Sequence, residues 1–142
     1  MKYKFGERSK RNLVGVNPKL VKVLEASITD SPVDFTITEG LRSTERQKQL
    51  FAQGRTTPGQ KVTNADGVKN KSNHQAKSDG FGHAVDLYPF FLGQVQVNHK
   101  DTLKNLKRIA DHIKATAKKL NIEIVWGGDW KSPYDPPHFQ LK

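Results

Sequence analysis

SNHQAKSDGFGHAVDLYP, residues 72–89, changes character in its middle. Up to Gly82 it is a loop, crowded with Ser, Asn, Lys and Gly and without an apolar period. From Ala84 to Phe90 it becomes a short apolar run that reads as a buried strand. What surrounds that strand decides the class of fold.

Downstream, Gln94 to Val97 alternates polar and apolar residues, the pattern of an edge strand. Leu103, Leu106, Ile109, Ala110, Ile113, Ala117 and Leu120 then mark the clearest amphipathic helix in the chain. Ile122–Trp126 and His138–Leu141 read as two more strands. Upstream lies a long loop, Gly54 to Gly82, and loops of that length in compact domains are functional or disordered. Before it come a helix from Thr44 to Ala52 and a strand around Phe35 and Ile37, stopped by Gly40. Asn17-Pro18 has the form of an N-cap and first helical residue, followed by Leu20, Val21, Leu24 and Ile28 at helical spacing and ended by Ser31-Pro32. Helices and strands mix without regular βαβ alternation. The expected fold is α+β: a small, mainly antiparallel sheet with helices packed against it.

The chain has 142 residues, enough for one domain over 1–142 that buries roughly 68–70% of its unfolded surface. It has no cysteine, which excludes disulfides and thiolate-bound zinc and leaves His and carboxylates as metal donors. The start, MKYKFGERSK, is charged, lacks an apolar run and does not read as a signal peptide. No stretch approaches the roughly 20 apolar residues of a membrane span, so stable membrane insertion is not expected. Lys and Arg number 24 against 14 Asp and Glu, a formal charge of +10 that favours polyanions. Much of it lies on Lys104, Lys107, Arg108, Lys114, Lys118 and Lys119, which also fits an ordinary solvated helix face. Nucleic acid and anionic cell-envelope polymers are the two obvious partners. No helix-turn-helix, zinc-finger or RNA-binding signature supports the first.

Chemistry concentrates in three places. One is the opening stretch, with His74, His83 and Asp86; the second is Asp135-Pro-Pro-His138; the third is Gly40-Leu-Arg-Ser-Thr-Glu-Arg-Gln47 at a strand-to-helix turn. Two imidazoles, a carboxylate and an open fourth position make a catalytic zinc site, and a further carboxylate beside it can take a proton from water. Residue types and spacing alone leave this open, since His and Asp are common in loops.

Taken together and in order, the motifs YKFGERSKRNL, DFTITEGLRS, GLRSTERQKQLFAQGRTTPGQKVTNADG, SNH…GHAVDLYP and WGGDWKSPYDPPHFQL are more specific than any one of them. Over nearly the whole chain they resemble the D-Ala-D-Ala carboxypeptidase-like (VanY-type) zinc peptidases, especially the phage endolysins that are L-alanyl-D-glutamate endopeptidases. The resemblance implies one zinc ion per chain, held by His74, Asp86 and His138. It implies Asp135 as general base and Arg42 as the group that stabilises the oxyanion or holds a substrate carboxylate. Gln47 and Ser72 would line the substrate groove. The implied substrate is bacterial peptidoglycan, cut at the L-alanyl-D-glutamate bond during phage-induced lysis. A D-alanyl-D-alanine carboxypeptidase is the alternative. A monomer is expected, held in the host cytoplasm until a holin releases it to the wall, with anionic envelope polymers met by the basic surface.

The family usually has His-x6-Asp where this chain has His74-x11-Asp86, so Gln75 to Phe81 reads as an enlargement. His83 lies closer to Asp86, but alternation along a strand points it to the opposite face, which favours His74. Other residues have plainer readings. Thr44-x-x-Gln47 also fits a capping box, Ser72 an ordinary loop hydroxyl and Arg42 a surface arginine. Trp126 and Trp130 suit packing, Asp129 a turn at Gly127-Gly128, and His99 and His112 the surface.

Overall fold

The computed structural model describes residues 2–142. Four helices and five strands follow in the order α1 (Glu7–Leu13), α2 (Pro18–Ile28), β1 (Phe35–Glu39), α3 (Thr44–Ala52), β2 (Ala84–Phe91), β3 (Gln94–Val95), α4 (Thr102–Lys119), β4 (Ile124–Trp126) and β5 (His138–Leu141). The sheet runs β1-β2-β5-β4, with β3 paired to the far end of β2. Every one of these pairings is antiparallel. The expected α+β architecture is the one observed.

Pairing register sorts the residues into two faces. Val85 lies opposite Phe139, and Phe139 opposite Trp126, so these side chains share the apolar face. Leu20, Val23 and Leu24 of α2 and Leu106, Ile109 and Ile113 of α4 cover that face and complete the core. Asp86 lies opposite His138 on one neighbour and Glu39 on the other, forming a polar row on the reverse face. Simple alternation would group Glu39 with Phe35 and Ile37 on the core face. A bulge between Ile37 and Glu39 inserts one residue and turns Glu39 to the side of Asp86.

Helix α1 was not expected from sequence. Its seven residues bury only Ser9 and Leu13, and its N-cap, Gly6, supplies no side-chain bond. What holds it is the free edge of β1: Ser9 Oγ accepts the Ile37 N–H at 3.0 Å and Asn12 Nδ2 donates to the Ile37 carbonyl at 2.8 Å. The helix thus satisfies an edge strand's backbone groups, which would otherwise be buried and unpaired. The fit is close: a Cβ on Gly40 would collide with the Asn12 carbonyl oxygen.

The long segment between α3 and β2 has no regular element, as expected, yet two buried glutamines moor it. Gln47 donates to Ala65 O (2.8 Å) and Thr63 Oγ1 (3.2 Å). Gln75 accepts from the Ser72 N–H (2.9 Å) and donates to Gly67 O (3.1 Å). The capping-box reading of Thr44-x-x-Gln47 is therefore corrected. Ser43 is the N-cap of α3, accepting the Arg46 N–H at 3.0 Å, and Gln47 is spent on the loop. His112 is also less superficial than expected: its Nε2 meets Ser27 O and Asp30 Oδ1, both at 3.0 Å, and ties α4 to the end of α2.

Candidate metal centre

Three side chains converge on the polar face. His74 Nε2 lies 3.2 Å from His138 Nδ1, and both approach Asp86 Oδ1, at 3.5 and 3.6 Å. Two arrive on adjacent strands, opposite each other in register. His74 arrives from the loop, on an arm also held by backbone bonds from outside the enlarged segment. Its carbonyl accepts the Arg42 N–H (2.8 Å), and the neighbouring Asn73 carbonyl accepts the His83 N–H (2.8 Å).

The hydrogen bonds behind the rings decide what faces inward. His74 Nδ1 lies 3.0 Å from the Gly40 carbonyl, which can only accept. In the neutral ring the proton is therefore on Nδ1, and Nε2 presents a lone pair. His138 Nε2 lies 2.7 Å from Gln140 Oε1, so its proton is on Nε2 and its lone pair on Nδ1. Asp86 Oδ1, buried and without a hydrogen-bond partner, is a third acceptor. Three acceptors thus meet with no proton between them. That arrangement is repulsive unless a cation joins it. Bonds of 2.0–2.2 Å to a tetrahedral zinc would place ligand atoms about 3.3–3.6 Å apart, close to the spacing found here. The residues fit the metal.

Electrostatics agrees. Burial alone would raise the Asp86 carboxyl, but His138 and His74 outweigh it and hold the group well below the usual carboxylate range. Burial would lower the His138 imidazole, but the Asp86 carboxylate beside it, the Gln140 amide oxygen and the charge of Asp135 raise it. The cluster attracts positive charge.

Asp135 stands beside it, with Oδ2 at 3.7 Å from His138 Nδ1 and a side chain 41% exposed. Burial and the Asp86 charge raise its carboxyl above the ordinary value, against the smaller opposing pull of His138, His74 and Arg42. Its segment is fixed from both sides. The Trp126 indole N–H donates to Pro136 O (2.6 Å), and the Asp135 N–H donates to Gly127 O (3.0 Å). A Cβ on Gly127 would strike the Asp135 carbonyl. The Trp130 ring lies tilted against His138, 5.1 Å between centroids.

Arg42 is nearly buried and richly bonded. Its Nε and Nη2 bind the Glu39 carboxylate at 2.8 and 2.9 Å, and Nη1 meets Gln47 Oε1 at 2.8 Å and Ser72 Oγ at 3.4 Å. Nη2 also lies 3.7 Å from Asp86 Oδ2. The structure therefore gathers Arg42, Gln47, Ser72, His74, Asp86, Asp135 and His138 in one site. His83 is not among them: its Nε2 is 2.7 Å from Asp79 Oδ2, within the enlarged loop.

Sequence reasoning missed four neighbours. Glu39 orients Arg42, Gln140 and Asn73 back His138, and Tyr88 shares the Asp86 face of β2. The Tyr88 phenol is pushed up by burial and by the charges of Asp86 and Asp135, so it stays a proton donor at neutral pH. Tyr88 and Gln140 had an available signal, each standing two residues from a site residue on a strand, Asp86 and His138.

A family model described as phage L-alanyl-D-glutamate peptidase matches residues 1–138. An L-alanyl-D-glutamate peptidase of Escherichia phage T5 is 30% identical over 135 residues, covering 95% of this chain and 87% of that protein. The peptidoglycan L-alanyl-D-glutamate endopeptidase CwlK of Bacillus subtilis (strain 168) is 34% identical over 123 residues, covering 83% of this chain and 66% of that protein. The crystal structure of the Serratia marcescens L-Ala D-Glu endopeptidase ChiX superposes with a TM-score of 0.74 at 32% identity, covering 99% of this chain and 91% of that one.

Proposed function

The chain belongs to the phage L-alanyl-D-glutamate peptidase family, and from that premise we propose that it is a zinc-dependent endopeptidase cutting the L-alanyl-D-glutamate bond of peptidoglycan stem peptides. The observation that carries the metal part is the convergence of His74 Nε2, Asp86 Oδ1 and His138 Nδ1, whose outer hydrogen bonds leave all three as acceptors when both rings are neutral. These residues would hold one zinc ion. When bound, it supplies the Lewis acidity that polarises a peptide carbonyl and makes an attacking water more acidic.

The chain's own groups do the rest. Asp135, half exposed beside the cluster, takes the proton of the attacking water and returns it to the leaving nitrogen. Its raised carboxyl favours the first of these transfers, because a more basic carboxylate accepts a proton at less cost. Arg42 brings a fixed positive charge to the side of Asp86. Ser72 Oγ is its longest hydrogen bond, at 3.4 Å, and the one that a substrate oxygen can replace. Trp126 and Gly127 hold the Asp135 segment in place while the proton moves.

In this reading the protein serves phage-induced lysis. It waits in the host cytoplasm and reaches the wall through a holin-made opening. Among the described residues no helix is long and apolar enough to cross a membrane.

The test is chelation, product analysis and one variant. A metal-stripped sample should be inactive on purified peptidoglycan, and zinc should restore it. The product should carry a new D-Glu amino terminus; release of free D-alanine would favour the carboxypeptidase instead. Asp135→Asn should retain zinc and lose about 10²–10⁴-fold in turnover. Full activity without metal ends the zinc reading, and near wild-type turnover in the variant removes Asp135 as the base.

A further inference from the structure

We propose that Gln140, oriented by Asn73, is a positioning residue for the metal centre: it decides which ring nitrogen His138 presents to the ion. The inference rests on the zinc reading above.

His138 and Gln140 are two residues apart on β5 and share its polar face. Gln140 Oε1 lies 2.7 Å from His138 Nε2, and the same oxygen accepts from Asn73 Nδ2 at 2.9 Å. In this arrangement one amide oxygen takes two donors, the Asn73 amide and the His138 ring. A reversed amide would set its NH2 against that of Asn73. It would also require His138 to carry its proton on Nδ1, facing Asp86 Oδ1 and His74 Nε2. As built, Gln140 keeps the proton on the outer nitrogen and leaves Nδ1 bare. Asn73 directly precedes His74, so one side chain joins the arm bearing the first histidine to the strand bearing the second. The enlarged segment that follows lies outside this link, and Asp79, within that segment, bonds instead to His83 and Asn17.

Partners behind a ligating histidine hold its ring and proton, and losing one costs about 10–100-fold in metal affinity. An amide does this without adding a further negative charge to the site.

The experiment measures zinc affinity by competition with a chromophoric chelator, with thermal unfolding of the metal-free proteins alongside. Gln140→Met keeps the length and removes the acceptor; it should bind zinc about 10–100-fold more weakly. Gln140→Glu restores an acceptor and should match or exceed the wild-type affinity. Asn73→Leu should weaken binding by a smaller factor. Unchanged affinity in Gln140→Met, or equal weakness in Gln140→Glu, would overturn the assignment, the latter by showing that only packing matters. A second readout covers a poorly folded Gln140→Met. Nitrogen-15 shifts of His138 in the metal-free wild type, at a pH where the ring is neutral, should show Nε2 protonated and Nδ1 bare. A ring protonated on Nδ1 would refute the proposal. If the wild type binds no zinc at all, the zinc reading falls, and the ring measurement still judges Gln140.

Discussion

His74 and His83 compete in the sequence for one role, and backbone geometry separates them. His83 immediately precedes β2, three residues from Asp86, and its ring turns to Asp79. His74 comes from a loop arm whose own hydrogen bonds carry it to Asp86. The expected consequence is sharp. His74→Ala should lose both zinc and activity, while His83→Ala keeps zinc near one per chain and loosens only the enlarged loop. Metal stoichiometry of the purified variants checks it, and zinc lost in the His83 variant alone would reverse the assignment. Arg42 shows a different lesson at this scale. The resemblance implies contact with substrate, and the structure adds that Glu39 already occupies two of its donor positions. Whatever Arg42 does for substrate, it does as a held charge rather than a free side chain.

Among the elements, α1 and the end of β1 act as a pair. The helix has little apolar face, so its stability comes from capturing an edge strand. Replacing Ser9 with Ala leaves the Ile37 N–H without an acceptor in a buried place. That should cost about 1–3 kcal/mol, read from a urea unfolding midpoint. The Ile37 amide should also exchange its hydrogen faster than its neighbours. Unchanged stability and protection would mean that α1 is decoration. The consequence reaches the site, because β1 carries Glu39 at its bulge and leads into Gly40, whose carbonyl holds His74. Helix α4 buries Leu106, Ile109 and Ile113 as its apolar period implies, but it leaves Leu103, the first residue of that period, half exposed.

On the scale of the whole molecule, the sheet separates charge from chemistry. The metal cluster lies on one face, and α4 packs across the other with its lysines outward. Lys114 is the partial exception, held 2.6 Å from Asp129 and 5.2 Å over the Trp126 ring. The basic helix therefore lies across the sheet from the metal cluster. Charge placed there acts by attraction over a distance, which is strongest at low salt. Replacing Lys104, Lys107 and Lys118 with Gln should weaken lysis of whole cells more than cleavage of a soluble stem peptide. Raising the salt concentration should shrink the difference. Equal loss on both substrates would place the effect in the fold or the site instead.

The sequence by itself determined the elements whose cause is local. The apolar period of α4, the Asn17-Pro18 start of α2, the helix from Thr44 to Ala52 and the strands at Ala84 and His138 all follow from neighbours in the chain. Ordered motifs likewise indicated His74, Asp86, Asp135 and His138, because each sits in a short, recognisable context. Tertiary structure alone decided what depends on distant backbone. Helix α1 exists because β1 offers it an open edge. Glu39 reaches the site because a bulge breaks the alternation that would have buried it in the core. The nitrogen that His138 turns inward is set by an amide and an asparagine from separate segments, Gln140 and Asn73, and no period or motif in the chain encodes a meeting between them.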